Sequence, residues 1–137
     1  MSSATGGLKE LHQVHLDLDA CHKQLKNGPR RIAAHQKKLT KCQAEIDAQK
    51  AHITSLQKTA DEKNLQIRTN EQTVAGTKSK LNQAKSNVEF DIFKGQITKA
   101  QKANESLEDQ YLELLEQVDE EKIRLKEMNG ELKEAEA

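Results

Sequence analysis

The sequence predicts an all-α fold: a long antiparallel coiled-coil αα-hairpin whose N-terminal helix is kinked or broken at Asn27-Gly28-Pro29. Three observations predict it. Aliphatic residues recur every seven residues at twelve consecutive positions. A second apolar series follows, alternating by four and three. Between the two stands a helix-start signal, Ser86 followed three residues later by Glu89. Composition agrees. The chain has 137 residues, 34% hydrophobic and 32% charged, with no tryptophan, one tyrosine and two phenylalanines. An ordinary globular core draws on about 45–50% apolar residues, so this chain suits long paired helices better. Disorder is the other outcome of high charge and few aromatics. The periodicity argues against it.

Residues 1–6 are expected to form a disordered arm, and 7–137 a single coiled-coil domain. The first apolar row is Leu11, Leu18, Leu25, Ile32, Leu39, Ile46, Ile53, Ala60, Ile67, Val74, Leu81 and Val88. Call these positions a. A strict seven-residue repeat imposes a left-handed supercoil. The companion d positions are mixed: Val14, Cys21, Gly28, His35, Cys42, Gln49, Leu56, Lys63, Asn70, Thr77 and Ala84. One strong row and one weak row make a narrow seam that needs a partner. Pro29 interrupts it, because proline removes a helical hydrogen bond and its ring clashes with the carbonyl of Leu25. The heptad count continues across the proline, which favours helices of about 7–27 and 29–85 on one kinked path. The alternative folds the first helix back into a three-helix base.

The tip is expected at 86–88, with Asn87 suited to left-handed backbone angles, and the last helix at about 89–136. That helix carries Phe93, Ile97, Ala100, Asn104, Leu107, Tyr111, Leu114, Val118, Glu121, Leu125, Met128, Leu132 and Ala135. A turn centred on Asn87 pairs residues whose numbers sum to about 174. Asn70 then meets Asn104, a self-satisfying polar pair that fixes register. Leu81 meets Phe93 and Ala84 meets Phe90, so both phenylalanines are expected to fill a core where the helices part. Losing such a buried ring costs about 3–5 kcal/mol. Gly76 and Gly95 near the tip each cost about 1 kcal/mol relative to alanine and soften the distal end.

Charge is balanced but segregated. Lys23, Lys26, Arg30, Arg31, Lys37, Lys38 and Lys41 form a basic patch with no acid among them, whereas twelve acids stand against four bases from Glu105 onward. The acidic helix is expected to lie along residues 37–69 and guide antiparallel pairing. A phosphate backbone is the other ligand this patch suits. Interleaved aromatics for base stacking are absent. Cys21 and Cys42 read as reduced thiols filling small seam positions. Of five histidines, His12, His15 and His22 cluster beside Cys21, but without the spacing of four convergent zinc ligands, so no metal site is expected. No catalytic constellation or phosphate loop is visible, and a two-helix coil offers no concave pocket. No apolar run approaches the length of a membrane span, and MSSATGG lacks a signal-peptide core. These features suit a cytoplasmic, non-enzymatic protein.

The tip carries a resemblance. SNVEFDIFKGQI resembles Thr-Asn-Lys-Glu-Tyr-Gln-Ala-Leu-Leu-Lys-Glu-Ile, the hairpin tip of bacterial coiled-coil proteins with a C-terminal C4-type zinc ribbon. Asn87, Glu89 and Ile97 match, Phe90 stands for the tyrosine and Phe93 for a leucine. LEDQYLELLEQVDE, from Leu107, is similar to that family's Leu-Glu-Asp-Glu-Ile-Leu-Glu-Leu stretch, and an early proline break is shared. The ribbon itself is missing: the chain ends in KEAEA, still in helical pattern. Zinc is therefore expected only if a ribbon follows in a longer protein. The resemblance implies an adaptor that presents surfaces to proteins, in settings linked to transcription, flagella or type III secretion. Partner contact is then expected at Asn87, Glu89, Phe90 and Phe93, and self-association through the uncovered stretch Leu11 to Leu25. Nucleic-acid binding through the basic patch and a purely structural spacer are the alternatives.

Overall fold

The computed structural model describes residues 2–137, with side chains from residue 4. It contains two helices, α1 (Ser2–Asn82) and α2 (Asn87–Glu136), packed against each other as a helical hairpin. At 1.5 Å per residue, the 81 residues of α1 extend about 120 Å and the 50 of α2 about 75 Å. α2 therefore covers only part of its partner.

Burial follows the sequence pattern closely. Every a and d position from Leu39 to Ala84 is buried or half-buried, and so is each of the thirteen α2 positions from Phe93 to Ala135. Ile46, Ile53, Ala60, Ile67, Ile97 and Val118 form the dry centre. Thr77 is buried on the same seam, its hydroxyl donating to the Thr73 carbonyl at 2.8 Å. The Thr77 hydroxyl is thus satisfied within its own helix.

Two expected boundaries are corrected. α1 runs unbroken through Pro29, so the two helices anticipated on either side of it are one. Proline deletes one hydrogen bond and crowds one carbonyl, at about 3 kcal/mol. This stretch is solvent-exposed, where water can take the freed carbonyl of Leu25. Of residues 1–6, expected as a disordered arm, 2–6 are the start of the same helix, and Met1 lies outside the described residues. Extending a formed helix through Gly6 and Gly7 costs far less than nucleating one.

The turn also differs. α1 closes with two tight bonds, Gln83 N–H to Lys80 O at 3.1 Å and Ala84 N–H to Leu81 O at 3.2 Å. No residue among those described has positive φ, so Asn87 is not a left-handed turn residue but the first residue of α2. Ser86 is its N-cap, extended at φ −132° and ψ 156°, and its hydroxyl accepts the Glu89 N–H at 3.2 Å. Glu89 reaches back to accept the Lys85 N–H at 3.3 Å, one residue short of the reciprocal partner in a standard capping box. Ser86→Ala is expected to lower stability by about 0.5–2 kcal/mol, read as a urea midpoint shift.

Because α1 stops early, the register moves. Gln49 Nε2 donates to the Glu121 carbonyl at 3.1 Å and also to the Glu121 carboxylate, and Asn104 Nδ2 donates to the Ile67 carbonyl at 3.3 Å. Leu39 and Leu132 line one shallow groove at the open end. The two hydrogen-bonded pairs sum to 170 and 171, against the expected 174. Ile53 is thus level with Val118, Ile67 with Asn104, and Leu81 with Phe90.

Candidate interaction surfaces

Three surfaces left over by the seam could recognise something. The first is the tip. Asn87 and Glu89 are exposed, Phe93 is half-buried and Phe90 is 43% exposed. The expectation that both rings are core is corrected for Phe90, which stands at the last layer before the helices part, while Phe93 keeps a half-buried seam position. Val88, expected as the final seam residue, is 70% exposed on the opposite side of α2. Ile92, one turn further, is 53% exposed beside it. Three large apolar side chains therefore face water within the first two turns of α2. Sequence reasoning missed Ile92 and assigned Val88 to the seam. The signal was present in the i, i+4 spacing of these two residues, off the stripe.

The second surface is the polar pair meant to set register. Asn70 and Asn104 do not bond to each other. Asn104 is 8% exposed, spends its amide on Ile67 O, and leaves its Oδ1 buried without a partner. Asn70 is half-buried and faces Ala100 in the observed register.

The third is the N-terminal part of α1. From Ala4 to Lys38 all side chains are exposed, Gly28 alone being half-buried. Leu11, Val14, Leu18, Leu25 and Ile32 continue the heptad rows into solvent. Cys21, expected as a buried seam residue, is exposed, while Cys42 is half-buried; both are free thiols. All seven cations of the basic patch, Lys23, Lys26, Arg30, Arg31, Lys37, Lys38 and Lys41, are exposed. The acidic end of α2 reaches only the upper edge of this patch, where Glu136 lines a groove with Leu39, Thr40 and Gln43.

Among the described residues, no three His, Cys, Asp or Glu side chains converge as metal ligands. None of the helices is long and apolar enough to cross a membrane. Comparison with protein families, curated proteins and solved structures finds no match for the chain.

Proposed function

We propose that the protein is a non-enzymatic coiled-coil scaffold or adaptor, a rigid arm that holds a protein partner at its tip. The observation that carries this reading is the exposure of three large apolar side chains at the far end of the hairpin, Val88 and Ile92 on one side of α2 and Phe90 on the other. Apolar clusters that the fold leaves uncovered mark interaction surfaces, and aromatic anchors carry a large share of interface energy. Asn87 and Glu89 are exposed between them. The tip's resemblance to zinc-ribbon coiled-coil proteins supports the reading and adds a regulatory role, in transcription or secretion, inside a cytoplasm. Zinc enters only through a ribbon in a longer chain.

The test is capture of a partner from cell extract by the intact protein and by Phe90→Ala/Ile92→Ala. The variant is expected to keep its helical content and lose the partner. A partner retained at full strength removes the tip from the function and leaves a structural spacer.

The exposed patch from Lys23 to Lys41 favours one second reading, a nucleic-acid-binding arm. Cations on a phosphate backbone release counterions, and affinity then falls with salt by a slope of about 0.9 per contact. Replacing Lys37, Lys38 and Lys41 with alanine flattens that slope under this reading. Under the adaptor reading there is no slope to flatten.

A further inference from the structure

The uncovered face of α1 between Ala4 and Lys38 is the continuation of an interface already in use. The same heptad that seals Leu39 to Ala84 against α2 runs on through Ile32, Leu25, Leu18 and Leu11 with nothing opposite. Heptad seams of this kind take another helix, and its direction and identity are written in charge and size.

Charge comes first. Residues 4–22 hold one base, Lys9, and three acids, Glu10, Asp17 and Asp19; residues 23–41 hold seven bases and no acid. Two copies aligned in parallel would set the seven cations of one against those of the other. Antiparallel alignment sets each acidic half against a basic half.

Size selects the register. Antiparallel coils interleave a with d, and the residues that face each other have a constant sum. When that sum is 39, Gly7 faces the partner's Ile32, Leu11 the partner's Gly28, Val14 the partner's Leu25, and Leu18 the partner's Cys21. Small meets large in three of these four layers, as interdigitated packing requires. Glu10 then flanks the partner's Arg31, twice by symmetry. A heptad shift one way needs the surface around Leu39 and Cys42 that α2 already holds; the other way leaves Ile32 uncovered. Parallel pairing stacks Gly7 on Gly7 and Gly28 on Gly28, leaving holes.

We propose that residues 4–35 of α1 are a self-association surface that takes a second copy of this chain in antiparallel orientation, with Leu18 packed on the partner's Cys21. The product is a continuous two-stranded rod: hairpin, paired α1 segments, hairpin. Its two tips point in opposite directions, on the order of 200 Å apart at 1.5 Å per residue. This inference does not depend on what the tip binds.

Sedimentation equilibrium at high micromolar concentration is expected to give twice the 15.4 kDa chain mass. Orientation is read from a spin label at Lys41→Cys with Cys21 and Cys42 replaced by serine. Antiparallel pairing separates the two labels by about 65 Å along the rod, whereas parallel pairing brings them to roughly 20 Å. Glu10→Arg is expected to raise the dimer Kd about tenfold, and adding Arg31→Glu in the same chain to restore it. Leu18→Asp is expected to yield a monomer whose hairpin melts as before. A wild-type monomer, a short label distance, or a charge swap that fails to rescue would each overturn the proposal.

Discussion

Ile53→Asp is expected to unfold the hairpin. Ile53 is 6% exposed and near Val118, itself 5% exposed, so the carboxylate would enter the buried apolar centre of the seam. An unpaired buried charge costs about 3–5 kcal/mol. Typical domains hold only about 5–15 kcal/mol in total. A two-helix seam with six buried apolar side chains stands at the low end of that range. Far-UV circular dichroism should show most of the helix lost at room temperature. Leu18→Asp is the control, since that side chain is exposed and outside the hairpin. If the two aspartates melt alike, the seam is not where the stability resides.

Asn104→Leu is expected to act in the opposite direction. The asparagine gives one hydrogen bond, at 3.3 Å, to a carbonyl within a helix, and buries an oxygen with no partner. Leaving an acceptor unsatisfied costs about 1–3 kcal/mol, more than a single neutral hydrogen bond returns. Leucine at this position also joins the apolar layer with Ile67. A rise in stability of about 1–2 kcal/mol should appear as a higher urea midpoint at unchanged m-value. The same change is expected to loosen register, because a lone polar group in a seam specifies alignment at a cost in stability. Spin labels at Leu56 and Leu114 would report this as a broadened distance distribution.

The fold was legible because it is periodic. Thirteen α2 positions and the α1 rows from Leu39 to Ala84 could be named from spacing alone, and burial follows them. Register was not legible, and the reason is geometric. The apolar series steps by three and four, so moving the partner by three residues still sets the a row of α1 opposite seam residues of α2, with Ile53 meeting Val118 in place of Glu121. Spacing alone therefore does not single out one of the two alignments. Only the end of α1 distinguishes them, and that end is decided by two local hydrogen bonds near Leu81 that leave no hydrophobic trace. The pairing of Asn70 with Asn104 and the burial of Phe90 both failed with that one shift. At Pro29 the expected single path holds, and the fold-back alternative is the reading that fails. The proline's penalty is real, but in an exposed helix water relieves it, and local propensity lost to the continuity of the chain. The tip patch was half visible: the phenylalanines stood out, whereas Val88 and Ile92 looked like ordinary aliphatics until the turn was placed.

Gly76 and Gly95 sum to 171, so they stand at one level of the hairpin, roughly nine residues below the turn, each with open space where a Cβ would be. Glycine has the widest backbone freedom of any residue, and here both struts of the shaft carry it in one cross-section. A slender beam bends where its flexural rigidity is least. The terminal segment beyond this collar is therefore expected to bend more readily than the shaft below it. Reach then depends on the heptads below, and aim on how readily this one cross-section gives.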